Sequence, residues 1–399
     1  MKTQNNRFCI CNRKIALTSL NSIILKKLPI TEIFFNKYKK SKSYELDQKI
    51  VFCNDCEHMS LTRIINPKII YNKSYLTSST SSFSARHAND IFYKFINKNL
   101  VFSKKYKKII EIGSNDLYLL KKFSKKAKSL VGIDPVIKKN KDFKNLKTIK
   151  SFFTDLDNKQ IGYNNSIIIC GHTLEHVDNP EFFIMKTLSL ADTETHLFFQ
   201  FPSAESIINN CSFDQIHHQH LNYFSLKSFK KLLDRCGGKI INYEYNELHY
   251  GALMVHFTLN SSKYKKKKLL LKSRLIKQEF KKSYKIFKEH INCYKKLLIK
   301  YLSKKKKFYV VGAGLMLPLV NYHLDKLIDK ADAILDDDPK KINKYFANIN
   351  TKIISLQKTS LKKSVCLIAS IHSAIITRKL VTIVKEKQAE IILVPTLTF

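Results

Sequence analysis

No apolar run in this 399-residue chain reaches the ~18 to 20 residues that span a bilayer, which excludes a helical membrane-spanning protein. The opening residues, Met1-Lys2-Thr3-Gln4-Asn5-Asn6-Arg7, lack the apolar stretch and small-residue cleavage site of a secretion signal. With nine cysteines, an odd number, and no such signal, a cytoplasmic, reducing compartment is expected. There, paired cysteines hold metal more often than they form disulfides. Acidic residues are scarce: 32 against 71 basic ones, a formal net charge of +39. Such a charge attracts phosphate backbones through counterion release. No nucleic-acid recognition motif accompanies it, however, and the lysines are spread along the chain, so no specific nucleic-acid partner is expected. The excess would help attract an anionic small substrate.

What is present is the profile of a folded protein, 44% hydrophobic and 26% charged, too long for one ordinary core. Residues 1–75 carry Cys9-Ile10-Cys11 and Cys53-Asn54-Asp55-Cys56. Two cysteine pairs separated by a loop-and-strand segment fit a small ribbon-like domain with one structural zinc on four thiolates. The second pair has knuckle spacing. The first is a residue short, so four reduced cysteines remain the alternative, and His58 is placed on the outgoing strand rather than among the ligands.

Residues 76–262 alternate short β-branched runs with helical segments. The runs Lys108–Ile112, 129–134, 166–170 and Leu197–Phe201 read as buried parallel strands of a doubly wound sheet. Residues 263–305 carry Ile276, Phe280, Tyr284, Phe287, Ile291, Tyr294, Leu298 and Tyr301 at steps of three and four between lysines. That is one apolar stripe on a connecting helix or helix pair. From residue 306 to 399 a second α/β unit follows. Phe308–Val311 leads into Gly312-Ala313-Gly314, and Ala333–Leu335 runs into Asp336-Asp337-Asp338. Its glycine fingerprint is incomplete, which points to architecture or substrate shaping.

In a doubly wound sheet, ligands sit at the carboxyl ends of the strands near the switch point. Gly113, in Glu111-Ile112-Gly113-Ser114-Asn115-Asp116, ends the first such strand, and its bare backbone admits a ligand. Asp134 ends the next strand, 23 residues after Glu111, where a carboxylate accepts both hydroxyls of a ribose. One glycine is a poor phosphate cradle, so the loop suits S-adenosylmethionine better than NAD. Gly171-His172-Thr173-Leu174-Glu175-His176 follows another strand and faces the same crevice. His172 and His176, one helical turn apart, are expected to share a face. Farther on come His217-His218-Gln219-His220. Three imidazoles in four positions need partners supplied by the fold, and histidine is the residue most easily tuned to move a proton near neutral pH.

Taken in order, these segments resemble the sugar C-methyltransferases that act on nucleotide-linked 4-keto-6-deoxysugars, over essentially the whole chain. The matching positions are Glu111, Gly113, Ser114, Asn115 and Asp116, then Phe213, Asp214, Ile216, His218, His220, Tyr223 and Phe224. The resemblance implies an α/β protein. It would have a Rossmann-like class I methyltransferase core, a small N-terminal zinc-ribbon-like domain and a C-terminal Rossmann-like domain. It also implies S-adenosylmethionine as cofactor, held by Glu111, Gly113, Ser114, Asn115, Asp116, Asp134 and His172, and a nucleotide-linked sugar as substrate. Zinc would sit on Cys9, Cys11, Cys53 and Cys56. His220 would be the base that takes the carbon 3 proton of the ketone, His176 would orient or stabilise the enolate oxygen, and His217 would donate a hydrogen bond in place of the family's tyrosine.

The chain departs from the pattern at Leu117 (for glycine), His217, Gln219 (for glutamate) and Met254 (for arginine), and the aromatic Tyr75 is about one position out of place. Three rival readings stay open. The first is O- or N-methylation on the same scaffold. The second is a relative that binds the cofactor without turnover. The third is a metal-dependent hydrolase using His217, His218 and His220, for which no complete ligand set is seen.

Overall fold

The structure, a computed structural model, describes residues 3–4, 8–38, 44–67, 78–80, 83–100, 106–138, 140–163, 166–264, 275, 277–304, 306–369 and 374–393. Tyr75 and Ile276 lie outside the described residues. No helix among the described residues is long and apolar enough to cross a membrane.

The N-terminal part is built on an antiparallel meander of β1 (Asn21–Pro29), β2 (Glu45–Phe52) and β3 (Met59–Leu61). Ile23, Leu25, Ile50 and Phe52 lie buried in it. Helix α1 (Phe83–Lys98) then leads to the central sheet. Its strands are β4 (Tyr106–Ile112), β5 (Ala127–Ile133), β6 (Lys141–Phe143), β7 (Leu146–Ile149) and β8 (Ile167–Gly171). Helix α2 (Pro180–Leu188) and β9 (His196–Phe201) follow, then the two-residue β10 (Asn222–Tyr223) and α3 (Leu226–Arg235). A hairpin of β11 (Gly238–Asn246) and β12 (Ala252–Leu259) completes the sheet.

The order across the sheet is β6-β7-β5-β4-β8-β9-β12-β11. Strands β7, β5, β4, β8 and β9 run parallel, and β12 pairs antiparallel with β9. The isoleucine-rich β4 and β8 and the aromatic β9 are buried on both faces, as a sheet covered by helices on both sides requires. The order reverses between β4 and β8, so the carboxyl ends of these two strands flank the crevice.

Strand β10 does not join this sheet. It pairs with β3 (Asn222 with Ser60, Tyr223 with Met59) and adds a fourth strand to the N-terminal meander. The histidine-rich segment just before it is thereby pulled between the two sheets.

Within the lysine-rich stretch, residues 277–302 form one 26-residue helix, α4 (Lys277–Leu302), which buries Phe280, Phe287, Ile291 and Leu298. The C-terminal unit is a five-stranded parallel sheet. Its elements are β13 (Phe308–Val311), α5 (Leu317–His323), β14 (Ala333–Leu335), β15 (Ile353–Ile354), β16 (Val365–Ile368), α6 (Ala374–Glu386) and β17 (Glu390–Leu393). The strand order is β15-β14-β13-β16-β17.

Candidate active site

A cavity of about 1090 Å³ opens at the carboxyl ends of β4 and β8. Its walls come from the loop after β4, the end of β5, the segment after β8, the histidine-rich segment and the C-terminal unit.

The chain turns sharply after β4. Gly113 has φ +76°, and a Cβ there would fall 1.9 Å from Thr173 Oγ1. Glycine is therefore required both by the backbone and by the close pass of the β8 loop. Gly113 N and Ser114 N donate to Ile133 O (2.8 and 3.2 Å), and this fastens the turn to β5. Asp134, buried at the end of β5, accepts from Asn115 N (2.9 Å) and Val136 N (2.8 Å), one bond per carboxylate oxygen. Asp134 also lines the cavity, and each of its oxygens can accept a further bond. Glu111 Oε2 and Ser114 Oγ are buried with no hydrogen-bond partner among the described residues. Burial pushes the Glu111 carboxyl well above its ordinary value. A polar ligand is what such orphaned atoms need. Asp116 turns elsewhere: it accepts from Ser78 Oγ (2.5 Å), Thr80 N (2.7 Å) and Thr80 Oγ1 (2.7 Å) and so closes residues 78–80 over the loop. The sequence leads one to expect a helix start offering free N–H groups here. Only the single turn Tyr118–Lys121 forms.

The expectation that His172 and His176 share a helical face is corrected. His172 is left-handed (φ 51°) and is followed by a one-turn 3-10 helix, Leu174–His176, so no continuous helix links them. Both still face the cavity. Gln200 Nε2 lies 2.7 Å from His172 Nε2, and His172 Nδ1 lies 3.2 Å from Glu175 Oε1. The ring thus accepts from Gln200 and donates to Glu175. Enclosure lowers His172 to about 4, and burial raises Glu175 to about 7. His176 donates its Nδ1 proton to Gln219 O (2.9 Å).

The N-terminal meander holds the histidine-rich segment in place. His218 donates from Nε2 to Leu28 O (2.9 Å) and accepts at Nδ1 from Gln48 (3.4 Å). Gln219 Nε2 donates to Thr31 O (3.1 Å) and Thr31 Oγ1 (2.9 Å), while its Oε1 accepts from His217 Nδ1 (2.9 Å). That bond commits the Nδ1 proton of His217 to Gln219. His220 points inward, its ring 3.9 Å from His217 and 4.9 Å from His176 between centroids. Its Nδ1 has no hydrogen-bond partner among the described residues. Burial, and then the neighbouring imidazoles, hold it well below the usual histidine value, so its ring is neutral. His217 and His218 thus spend ring nitrogens on Gln219, Leu28 and Gln48, and the three-histidine metal set is not among the groups of ligand atoms the fold brings together in the described residues.

The four cysteines come together at the edge of the N-terminal unit. Cys9 Sγ is 3.3 Å from Cys11 and 3.5 Å from Cys56, and Cys11 is 3.8 Å from Cys53. A tetrahedral zinc thiolate site has sulfur–sulfur edges of ~3.8 Å, so the one-residue first pair still reaches. His58 stays outside, with Nε2 toward Asn222 Oδ1 (3.4 Å). Helix α3 grips this knuckle: Lys231 donates to Asp55 O (2.7 Å), Lys227 pairs with Glu57 (2.7 Å), and Arg235 bonds Ile10 O.

Several contributors were not marked in the sequence as site residues. Glu175 is one, although a buried acid between two histidines at a strand end was the available signal. Gln48 and Thr31 had none. The C-terminal unit is another. Ala313 N donates to Asp336 Oδ2 (2.8 Å) and Asp338 N to Asp336 Oδ1 (2.8 Å), which repeats the backbone geometry around Asp134. Gly312, Gly314 and Asp336 line the same cavity.

Residues 84–242 match the family described as methyltransferase domain. The chain is 21% identical over 211 residues to the C-methyltransferase NovU of Streptomyces niveus, covering 52% of this chain and 50% of that protein. It thus spans about half the length of the curated relative it matches. Among solved structures, it is similar to the 1,6-didemethyltoxoflavin-N1-methyltransferase of Burkholderia thailandensis. That likeness has 10% identity and a TM-score of 0.34 over 46% of this chain and 80% of that one. The YcgJ protein of Bacillus subtilis gives 11% identity and a TM-score of 0.32 over 40% and 73%.

Proposed function

We propose that this chain, whose residues 84–242 match a methyltransferase domain family, is an S-adenosylmethionine-dependent C-methyltransferase. Its acceptor would be carbon 3 of a nucleotide-linked 4-keto-6-deoxysugar. The observation that carries the reading is His220: a neutral, enclosed imidazole with an unpartnered nitrogen, in one cavity with Gly113 and Asp134.

The residues present suit the cofactor. The Asp134 carboxylate would accept the ribose hydroxyls, and Glu111, Ser114 and Asn115 would flank the remainder. When bound, S-adenosylmethionine supplies an electrophilic methyl group. Everything else falls to this chain. A ketone at carbon 4 acidifies the neighbouring proton, and His220 removes it. The ring's low proton affinity keeps it available in the resting state, and negative charge building on the substrate favours its protonation as the enolate forms. A base of this kind contributes ~100- to 10,000-fold. His176 gives its Nδ1 proton to Gln219 O, which fixes its ring beside His220, where it would orient the enolate oxygen. His217 keeps its Nδ1 proton on Gln219 and packs against His220 rather than donating that proton to substrate.

Zinc on Cys9, Cys11, Cys53 and Cys56 would fix the knuckle that α3 grips, and through it the register of the histidine segment. The Asp336 turn would face the nucleotide end of the substrate across the cavity. The test is a screen of nucleotide-linked keto sugars with the cofactor, read by mass and by NMR. A methyl group on carbon 3 supports the reading. A methyl group on oxygen or nitrogen moves the chain to another class of methyltransferase.

A further inference from the structure

The turn after β13 repeats the turn after β4 bond for bond. Gly312 N donates to Leu335 O (2.8 Å) as Gly113 N donates to Ile133 O (2.8 Å), and both glycines have positive φ, 103° and 76°. Asp336 N reaches across to Ile354 O on β15 (3.0 Å), as Asp134 N reaches Ile149 O on β7 (3.1 Å). The two carboxylates are then held alike. Asp336 accepts from Ala313 N at Oδ2 and from Asp338 N at Oδ1, both at 2.8 Å. Asp134 accepts from Asn115 N at Oδ2 (2.9 Å) and from Val136 N at Oδ1 (2.8 Å). A carboxylate with one N–H on each oxygen can still accept one hydroxyl on each, which is what a vicinal diol offers. Its acidic neighbours are engaged elsewhere. Asp337 Oδ1 accepts from Ser355 Oγ (2.8 Å) and Gln357 N (3.2 Å), and Asp338 Oδ1 accepts from Lys340 N (2.9 Å).

The cavity has room for a second ligand beside the cofactor. Its volume of about 1090 Å³ exceeds the ~300 to 1,000 Å³ that a single drug-sized ligand occupies. Gly314 lines it, and a Cβ there would meet nothing within 4 Å, so bare backbone borders open space. Leu335, Leu356 and Leu380 also line the cavity and offer an apolar face to a base. Lys341 Nζ lies 3.7 Å from Asp336 Oδ2 and 3.6 Å from Asp338 Oδ2, which offsets the acids' charge toward a diphosphate. We propose that Gly312, Gly314 and Asp336 form a ribonucleoside site in which the Asp336 carboxylate accepts the 2′- and 3′-hydroxyls. The acceptor sugar is then carried on a ribonucleoside diphosphate rather than on a 2′-deoxyribonucleoside diphosphate. That the ligand is the acceptor's carrier rests on the methyl-transfer reading, whereas the preference for ribose does not. A 2′-deoxyribose forfeits one hydroxyl bond to a charged acceptor, which costs roughly 10- to 100-fold in affinity.

The test is calorimetry on the full-length protein saturated with S-adenosylhomocysteine, so that an adenosine pocket for the cofactor is already filled. ADP, GDP, CDP and UDP are each titrated against their 2′-deoxy counterparts, which differ from them in one hydroxyl. At least one ribonucleoside diphosphate should bind roughly 10-fold or more tightly than its deoxy form. Asp336→Asn should abolish that preference. Gly314→Leu suits the backbone but fills the open space, and it should abolish binding, with circular dichroism as the check on folding. If Asp336→Asn does not fold, Gly314→Leu decides alone. No binding by any of these nucleotides, equal affinity for ribose and deoxyribose, or a folded variant that binds as wild type does overturns the site. These affinities are read without turnover. A ribose preference at this turn therefore stands even where the keto-sugar screen yields no methylated product, and that outcome counts against the methyl-transfer reading alone.

Discussion

Placing at position 219 the glutamate found in the sugar C-methyltransferases that the chain resembles should harm this protein rather than improve it. Gln219 is 5% exposed and uses both ends of its amide. Nε2 donates to Thr31 O and Thr31 Oγ1, and Oε1 accepts from His217. In Gln219→Glu the bond from His217 survives, but an oxygen now faces the Thr31 carbonyl 3.1 Å away. At least one donor bond is lost, at about 1 kcal/mol, and a buried carbonyl is left unsatisfied, at ~1 to 3 kcal/mol. A loss of about 3 kcal/mol is expected at pH 8, or roughly 6 to 12 °C in Tm for a domain of this size. The sign of its pH dependence follows. A carboxyl facing a carbonyl is easier to protonate when folded, so its folded pKa lies above the unfolded value. The stability it withholds at pH 8 returns as pH falls and the protonated oxygen donates to Thr31 O. Thermal unfolding of variant and wild type side by side, at pH 8 and pH 5, reads both effects. A variant as stable as wild type at pH 8, or a deficit that does not change with pH, refutes the reasoning.

Asp134→Ala should weaken cofactor binding by at least about 30-fold, because two ribose hydroxyls lose a charged acceptor; calorimetry showing unchanged affinity in a folded variant removes Asp134 from the site. Freshly prepared, chelator-free protein should carry zinc on the cysteine cluster. A strong chelator should remove it and loosen the α3 knuckle, seen as faster proteolysis near residues 53–58, and finding no zinc there defeats that assignment. Burial, more than the nearby Lys288 and Lys295, holds His323 down to about 3, against ~6.5 unfolded. Its folded pKa is depressed, so protons bind the unfolded chain preferentially below pH 6.5 and wild type loses stability as pH falls through that window. His323→Leu should gain about 2 kcal/mol on wild type between pH 7.5 and pH 5, and equal pH profiles in denaturant unfolding contradict it.

The parts of the fold legible in the sequence are those with a local physical signal. β4 and β8 are isoleucine runs that can only be buried, and α4 advertises its stripe through Phe280, Phe287, Ile291 and Leu298. Gly113 and Asp134 could be paired because a turn and an acid at adjacent strand ends have a fixed separation along the chain. The helical face expected for His172 and His176 failed because spacing says nothing about φ, and His172 leaves the helical region at the first step. Leu28, Thr31 and Gln48 lie 170 to 190 residues before the His218 and Gln219 side chains they bind. No periodicity connects them until β10 crosses into the N-terminal sheet. The incomplete glycine fingerprint after β13 concealed the Asp336 turn, since its geometry is carried by backbone N–H groups rather than by residue type.

The central claim is that His220 takes a proton from carbon. Its most direct test follows the carbon 3 proton of a nucleotide-linked 4-keto sugar by NMR in deuterated water. A cofactor analogue that cannot donate its methyl group is present, so that the enolate can return its proton. Wild type should exchange that proton. His220→Asn should show no exchange and no methyl transfer with the true cofactor, while binding the cofactor nearly as tightly. Full exchange and turnover by His220→Asn would contradict the account and shift the base to His217 or His176.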